Sequence, residues 1–415
     1  MRTDDLPELP PKYRYKLDLR SAATPQLLKK HPIHRWFYFP HSYSPELVEA
    51  ILKQWHLPQG SYLVDPFVGA GTTLLAAKER RYSAVGYDLS PVSMFISKVK
   101  IRDYNVEELR SSLDRVITKA TARQSIPKWD SDRLRKAFSE AEQNEFWNLR
   151  EHILRQKTRA RDFLLVALLR VSQDLSRAIA DGGWLRWVEK PDKGKEVRSR
   201  FRSQVDDMLE DIASTNPIDG PILNVRKGDA RKLDLPKSKF DGLITSPPYP
   251  NRHDYSRIFH IELLMLGSLE SEIVELRHNT LRSHVEANKP DYIDTSLSES
   301  GYRDPEILTH VLDQFPEESD ERIMPMLKGY FEDLYYSLKV AYHYLKPGTR
   351  AAYIVGNVRY EGVSVPVDVI LAEVGKQAGF THYRTWVIRL RGNSAQQMGS
   401  YGRVPSRESV VFFRK

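Results

Sequence analysis

The sequence predicts an α/β protein whose parallel sheet is interrupted by a large helical insertion. Residues 61–91 alternate strand, glycine turn, helix and strand, the pattern of parallel strands joined by crossover helices. The alternation stops in residues 103–215, which read as a series of helices, and it resumes at residue 221. The two strands predicted within residues 381–415 form a long hairpin, so the last strand runs antiparallel and the sheet is mixed.

The composition limits the classes to which this chain can belong. Its 415 residues suffice for two or three domains, or for one domain with large insertions. The formal net charge of +8 and the pI near 9.3 suit a polyanionic partner such as nucleic acid. No cysteine is present, which excludes disulfides, thiolate metal sites and thiol nucleophiles. Because the sequence has neither an apolar run of about 18 residues nor a secretory signal, we expect a cytoplasmic protein without a membrane partner.

The order of these patterns predicts a core that is interrupted twice. An aromatic cluster and a helix beginning at Ser44-Pro45 are expected to form one wall of a pocket. The predicted segments are an N-terminal arm (1–30), the first part of the core (31–102), the helical insertion (103–219), the core with a candidate catalytic motif (220–264), a second insertion (265–325) and the C-terminal part of the core (326–415).

The motif DPFVGAGTT at residues 65–73 predicts a ligand site at the end of a strand. Gly69 and Gly71 let the backbone approach a ligand and direct the N–H groups of the next helix toward it. Asp88 ends the following strand, where a carboxylate can accept both ribose hydroxyls of a nucleoside. No GK[ST] sequence follows, and Asp65 would repel a pyrophosphate, so a nucleoside carrying a zwitterionic methionine suits the motif better. The alternative is a purely structural turn.

A second pair of motifs follows the helical insertion. In GDAR, Asp229 comes after a strand and could accept from an adenine amino group, although such a Gly-Asp is often only a turn. In TSPPY, Ser246 and the carbonyl of Pro247 could accept the two hydrogens of a base amine and direct its lone pair at an electrophilic methyl group. Pro248 would remove a competing donor, and Tyr249 would stack on a base flipped out of the duplex. The alternative is a proline-terminated loop with a core tyrosine.

Together, DPFVGAGTT, GYDLSP, GDAR and TSPPY resemble the motifs of S-adenosylmethionine-dependent amino-methyltransferases that act on DNA. The resemblance implies a Rossmann-like, seven-stranded mixed sheet, S-adenosylmethionine as cofactor, no metal, and double-stranded DNA as substrate. The residues to which it assigns cofactor binding are Asp65, Phe67, Gly69, Gly71, Thr72, Asp88 and Asp229, and those to which it assigns catalysis are Ser246, Pro247, Pro248 and Tyr249.

The serine form of the last motif resembles the cytosine-N4 enzymes more than the adenine-N6 enzymes. It implies a restriction-modification setting, with a cognate restriction endonuclease as a partner. The alternatives are transfer to adenine N6, transfer to an RNA or protein amide nitrogen, and a cofactor-sensing nucleic-acid binder without catalysis. Methylation of cytosine C5 is disfavoured because the cysteine that it needs is absent.

The region that reads the DNA sequence has two candidates, the insertions at 103–219 and 265–325. The first is basic and contains tryptophans, which at helical spacing are more often core residues than DNA contacts. After the catalytic motif, His260 either contacts phosphates or neighbouring bases or, together with Glu262, caps and packs a helix. The residues predicted to contact nucleic acid are Arg252, His253, Arg257, Arg391 and Arg403.

Overall fold

The structure is a computed structural model that describes residues 9–122, 129, 131–181, 184–215, 217–251, 253–288, 301–392, 402 and 405–415. Its strands are β1 (Tyr13–Tyr15), β2 (Tyr62–Asp65), β3 (Ser83–Asp88), β4 (Ala178–Asp181), β5 (Trp184–Trp187), β6 (Leu223–Lys227), β7 (Phe240–Thr245), β8 (Leu345–Gly356), β9 (Val358–Tyr360), β10 (Val363–Val365), β11 (Thr381–Arg391) and β12 (Ser406–Arg414).

The α-helices alternate with these strands and also fill both insertions. They are α1 (Pro45–Trp55), α2 (Thr72–Glu79), α3 (Pro91–Lys100), α4 (Val106–Ala122), α5 (Asp132–Ala137), α6 (Glu140–Leu154), α7 (Thr158–Leu175), α8 (Gly194–Ser214), α9 (Tyr255–Ile258), α10 (His260–Leu266), α11 (Glu270–Asn279), α12 (Glu306–Leu312), α13 (Ile323–Tyr344) and α14 (Val367–Gln377). Within the described ranges, no helix is long and apolar enough to cross a membrane.

One mixed sheet organises the fold, in the order β1-β11-β12-β8-β7-β2-β3-β6. The strands β6, β3, β2, β7 and β8 are parallel, whereas β12 runs antiparallel to both of its neighbours. The α/β class and the mixed sheet predicted from the sequence are therefore confirmed, but the sheet has eight strands where seven were predicted. The closing hairpin of β11 and β12 lies where the sequence indicated it.

An eighth strand corrects the prediction for the N-terminal arm. Residues Tyr13–Tyr15 pair in parallel with Thr385–Val387 of β11, so this part of the arm belongs to the sheet edge. Three short 3₁₀ helices follow, at Leu17–Leu19, Pro25–Lys30 and His34–Trp36. Within this segment, the side chains of Tyr13, Ala22 and Leu28 are buried against the core.

Both faces of the sheet are covered by helices, as its apolar strands require. In β8, Ala352 and Ile354 face a cluster that includes residues of α1 and α2. Tyr353 and Val355 alternate with them and face α13 and α14 on the other side. Because successive side chains of a strand point to opposite faces, a strand that is buried on both faces reads as a continuous apolar run.

The first insertion contains helices α4 to α8 together with a small hairpin of β4 and β5. The hairpin interrupts what the sequence predicted as purely helical, because a Gly182-Gly183 pair separates two strand-forming runs. Trp129 and Trp147 pack edge to face with ring centroids 4.9 Å apart. These two tryptophans therefore contact each other, as the core interpretation of the aromatic residues expects.

The second insertion is tied to the core by buried ion pairs. Arg282 pairs with Asp333 of α13 at 2.6 Å and with Glu332 at 2.8 Å. Arg231, which follows β6, reaches the same Asp333 at 3.0 Å. Breaking a buried pair by removing one partner leaves an uncompensated charge, so these contacts fix residues 277–288 over the edge of the sheet.

Candidate active site

A cavity of about 280 Å³ opens at the carboxyl ends of the parallel strands. This is the edge at which open α/β sheets bind their ligands. One end of the cavity is lined by the glycine loop and the end of β3, and the other end by the TSPPY motif. The sequence-predicted residues that line it are Phe67, Gly69, Thr72, Asp88, Ser246, Pro248, Tyr249, His253 and Arg391.

The glycine loop needs glycine for two separate reasons. Gly69 and Gly71 have φ angles of +46° and +80°, in the left-handed region that favours glycine. A Cβ atom on Gly71 would also lie 3.0 Å from the side chain of Ser97 on α3. Ser97 Oγ donates to the carbonyl of Gly69 at 2.7 Å, so α3 holds the loop in this shape.

Asp65 lies buried behind the loop, at the end of β2, with one oxygen bonded and the other without a partner of normal geometry. Its Oδ1 accepts from Thr245 Oγ1 at 2.6 Å and from the backbone N–H of Phe67 at 3.1 Å. Its Oδ2 has no hydrogen-bond partner within the described residues. Burial raises the pKa of this carboxyl to about 6. Asp65 and Gly71 are not among the residues that line the cavity, so the predicted contact of Asp65 with a ligand stays a prediction.

Asp88 fixes the loop from the neighbouring strand and also lines the cavity. Its Oδ2 accepts from the N–H of Gly69 at 3.0 Å, and its Oδ1 accepts from the N–H of Ser90 at 2.8 Å. Burial raises the pKa of this carboxyl. Because each carboxylate oxygen has further lone pairs, Asp88 can still accept hydroxyl groups from the cavity.

Asp229 does not join the cavity, although the sequence predicted it as the third ligand residue. Its carboxylate pairs with Arg231, at 2.7 Å between Asp229 Oδ2 and Arg231 Nη2, and Arg231 continues to Asp333. An acceptor for an adenine amino group must face the ligand, and this carboxylate instead contacts the buried guanidinium. The structure therefore gives no support to the predicted role of Asp229.

The TSPPY motif forms the opposite end of the cavity. Ser246 Oγ donates to the carbonyl of Ile354 on β8 at 3.1 Å, and its side chain also hydrogen-bonds with that of Tyr249. The ring of Tyr249 lies against Gly356, where an added Cβ would be 2.8 Å from the ring. Gly356 therefore makes room for Tyr249, whose pKa is raised by burial. Pro248 lines the cavity, whereas Pro247 is buried beside it.

Two histidines that the sequence analysis did not place together complete the wall. The rings of His41 and His253 lie 4.5 Å apart, and His41 meets Tyr255 at 5.5 Å. Burial lowers the pKa of His41 to about 4 and that of His253 to about 3, with the charge of Arg391 adding to both effects. Both imidazoles are therefore neutral at physiological pH, and His253 belongs to the cavity wall.

Arginines of the terminal hairpin reach the same end. Arg389 and Arg391 are two residues apart on β11, so they share one face, and Glu408 of β12 pairs with both, at 3.1 Å and 3.6 Å. The sequence analysis named Arg391 but missed Arg389 and Glu408. Arg389 stands opposite Glu408 in the ladder, so a register built from the hairpin would have revealed the pair.

The remaining residues considered as nucleic-acid contacts do not line the cavity within the described part of the chain. Arg257 is paired with Asp254 at 3.2 Å and with Glu286, so it serves to fix the second insertion. Arg252 and Arg403 lie outside the described residues. His260 is buried and bonded to Glu270 at 2.7 Å, as the packing interpretation of this histidine expects.

Comparison with known proteins places these features in a family. Residues 13–98 match the DNA methylase family N6_N4_Mtase. The chain is 28% identical to the Type II methyltransferase M.BsoBI of Geobacillus stearothermophilus, over 95% of this chain and 88% of that one. It is 28% identical to M.AvaI of Nostoc sp., over 97% and 92%. A SAM-dependent methyltransferase structure from Methanosarcina mazei aligns over 88% of this chain and 96% of its own, with 8% identity and a TM-score of 0.32.

The sheet order and the cavity at its carboxyl edge define an open, Rossmann-like α/β fold, and the matched segment is that of a DNA methylase. The match of residues 13–98 and the likeness to two Type II methyltransferases support an amino-methyltransferase of the DNA N4/N6 family. The resemblance inferred from the four motifs is confirmed.

Proposed function

We propose that this DNA amino-methyltransferase transfers a methyl group to the N4 amine of cytosine in double-stranded DNA. The observation that carries the proposal is one continuous cavity whose two ends are the glycine loop and the TSPPY motif. Methyl transfer in a single step needs the donor and the acceptor side by side, and a shared cavity provides that arrangement.

The residues of the target end have complementary tasks in the proposed reaction. S-adenosylmethionine supplies an electrophilic methyl group when it is bound. Ser246, whose own hydrogen is engaged by Ile354, accepts one amine N–H, and the carbonyl of Pro247 accepts the other. The amine lone pair then points at the methyl carbon. In the transfer, the N–C bond would form as the donor's S–C bond breaks, the sulfur would leave as a neutral thioether, and the methylated amine would lose one proton to water.

The cofactor end would hold the donor through charge and close approach. Asp65 would attract the ammonium of the methionine moiety from behind the loop, and Asp88, which lines the cavity, would accept the ribose hydroxyls. Gly69 and Thr72 lie where the backbone can contact the ligand closely, and Phe67 provides an apolar wall. These roles follow the motif resemblance. Phe67, Gly69, Thr72 and Asp88 line the cavity, whereas Asp65 lies behind the loop and outside the lining.

Cytosine is favoured over adenine because a hydroxyl stands where the adenine enzymes usually carry an aspartate or asparagine. Transfer to adenine N6 is the alternative within the same chemistry, since a hydroxyl can accept from either amine. The relatives M.BsoBI and M.AvaI are named Type II methyltransferases, which supports a restriction-modification role in the cytoplasm beside a cognate endonuclease.

The second insertion is the better candidate for reading the bases that flank the target. Leu276, Thr280, Ser283 and His284 of this segment line the cavity itself. Buried ion pairs through Arg282 hold the segment in place. The helices of the first insertion would then contribute phosphate contacts, which position the protein without reading sequence.

The test is incubation with methyl-labelled S-adenosylmethionine and unmethylated genomic DNA, followed by mass spectrometry of the nucleosides. N4-methylcytosine is the expected product, and it should disappear with Ser246→Ala but persist with Ser199→Ala, a change on an exposed face of α8. N6-methyladenine would move the target to adenine. Label that is released by ribonuclease or protease, but is absent from DNA, would overturn the proposal.

If no acceptor is labelled, DNA-stimulated binding of the cofactor is measured. This measurement separates an enzyme whose recognition sequence is absent from the DNA from a protein that only binds. In the second case, Ser246→Ala would leave both the cofactor affinity and the DNA affinity unchanged. If DNA is the substrate, the affinity for DNA should also fall steeply as the salt concentration rises, because cationic side chains release counterions from the phosphates.

A further inference from the structure

A guanidinium stands beside the target end of the cavity with most of its donors uncommitted. Arg391 Nη2 donates to the carbonyl of Asn357 at 3.0 Å, and Nη1 lies 3.6 Å from Glu408 Oε1. Within the described residues, these are its contacts with hydrogen-bond acceptors. A guanidinium has five N–H donors, so several remain for a ligand in the cavity that Arg391 lines.

The surroundings of Arg391 place these donors close to the base site. An added Cβ on Gly356 would be 2.8 Å from the ring of Tyr249 and 3.3 Å from Arg391 Nη2, so the ring and the guanidinium lie side by side around this glycine. The charge of Arg391 also acts on His41 and His253 across the cavity. A base that stacks on Tyr249 would therefore have this cation at its edge.

Arg389 is less suited to the same task. It lies opposite Glu408 in the β-ladder and pairs with it at 3.1 Å. Arg391 is farther from the same carboxylate, at 3.6 Å. Glu408 is 6% exposed and is anchored by the two arginines. Arg389 thus pairs more closely with the buried acid, and Arg391 keeps more of its donors for a ligand.

We propose that Arg391 is a specificity residue that donates hydrogen bonds to N3 and O2 of the target cytosine while the amine faces Ser246. The inference rests on the proposed function. Cytosine presents two adjacent acceptors beside its amine, which match the two-pronged geometry of a guanidinium. Adenine presents only N1 beside its amine, followed by a C–H group. Arg391 therefore supplies a discrimination that the Ser246 hydroxyl does not.

The experiment uses a base analogue that lacks one of these acceptors. The methylated position is first mapped on genomic DNA, and a duplex is made with either cytosine or 3-deazacytosine at that position. Single-turnover methylation is then measured for the unaltered protein, for Arg391→Met and for Arg384→Met. Arg384 lies on the same strand, exposed and at the opposite end of it.

We expect Arg391→Met to slow methylation of the cytosine duplex roughly 10- to 100-fold, because a charged hydrogen bond is lost. The same change should cost several-fold less on the 3-deazacytosine duplex, where the bond to N3 is already missing. Arg384→Met should follow the unaltered protein on both duplexes. Equal losses on the two duplexes would overturn the proposal, because a phosphate contact or a structural role does not depend on N3.

Two further measurements keep the result interpretable. Arg391→Lys retains the charge but not the two-pronged geometry, and it should also lose more rate on cytosine than on the analogue. Cofactor affinity of each variant shows whether the cavity is intact. If the unaltered protein yields no N4-methylcytosine, the proposed function fails before any variant is compared, so that outcome is distinct from an equal loss on both duplexes.

Discussion

The two ends of the cavity are built in opposite ways. At the cofactor end, the carboxylates of Asp65 and Asp88 bind backbone N–H groups of one short loop between a strand and a helix. At the target end, the side chains come from segments far apart in the chain, such as His41, Tyr249 and Arg391. The first end is thus set by local sequence, and the second by tertiary packing.

The difference means that substitutions at the two ends should affect different measurements. Changes in the loop should alter cofactor affinity without altering the rate at saturating cofactor. Changes at the target end should do the reverse. If one substitution moved both quantities equally, the two ends would not be independent.

Among the substitutions that compare the two ends, Tyr249→Ala should have the largest effect. Tyr249→Ala removes the stacking surface, which is worth about 1–3 kcal/mol per base, and should slow DNA methylation roughly 10- to 100-fold. Cofactor affinity, measured by calorimetry, should stay within about twofold, because the ring lies at the other end of the cavity. Tyr249→Phe keeps the ring and should retain most of the rate. Loss of cofactor affinity in Tyr249→Ala would contradict the separation.

Asp65 should give the next largest effect, on cofactor affinity and its pH dependence. Burial raises the pKa of its carboxyl to about 6, and the ionised form binds an ammonium better. Affinity should therefore rise between about pH 5 and pH 7 and then level off. Asp65→Asn should weaken binding roughly tenfold or more at pH 7.5 and should abolish this rise. A pH-dependent affinity that survives in Asp65→Asn would point to another group.

The same raised pKa has an opposite consequence for folding. Between about pH 4 and pH 6 the folded carboxyl holds a proton that the unfolded chain has released. The contribution of Asp65 to the free energy of unfolding therefore falls as the pH rises through this range. Comparing urea unfolding of the Asp65→Asn variant with that of the unaltered protein across this range isolates the effect.

A matched pair of glycines tests the loop at a smaller scale. Gly60 and Gly71 have nearly the same φ, +81° and +80°, but only Gly71 has a neighbour, Ser97, within 4 Å of an added Cβ. Both Ala variants should lose about 1–2 kcal/mol of stability from the left-handed backbone. Gly71→Ala alone should also lower cofactor affinity several-fold, measured by equilibrium dialysis. Equal affinities in the two variants would mean that the loop tolerates the contact with Ser97.

The smallest effect concerns the histidines of the target end. The pKa values of His41 and His253 are lowered to about 4 and about 3, mainly by burial, so neither titrates near neutrality. At saturating cofactor and DNA, the methylation rate should change less than about twofold between pH 5.5 and pH 8 on account of these groups. A step near pH 6.5 that vanishes in His253→Gln would show that the imidazole is charged in the complex.

The local character of the cofactor end explains what the sequence could predict. Asp65, Asp88 and Ser246 follow apolar strand segments, and parallel strands bring their carboxyl ends to one edge. The edge and its ligand class could therefore be inferred from motifs alone. Asp229 satisfied the same rule, yet its carboxylate binds Arg231, a contact between neighbours in sequence that the strand pattern does not encode.

The arrangement of the target end could be recognised only in the folded structure. Nothing in the sequence around His41 indicates that its ring meets His253, more than two hundred residues later. Glu408 and Arg389 could have been paired only by fixing the register of a hairpin with a long loop. The hairpin of β4 and β5 was missed because the surrounding helical pattern outweighed its Gly182-Gly183 turn signal.

Strand β1 protects one edge of the sheet from pairing with other molecules. It covers the outer edge of β11, and hydrogen bonds run from Lys16 N–H to Val387 carbonyl at 2.8 Å and from Thr385 N–H to Lys12 carbonyl at 3.0 Å. A chain shortened to begin at residue 17 would leave a row of peptide groups open to pairing with a second molecule. Such a chain should aggregate on concentration, which light scattering would detect, even though its catalytic machinery is complete.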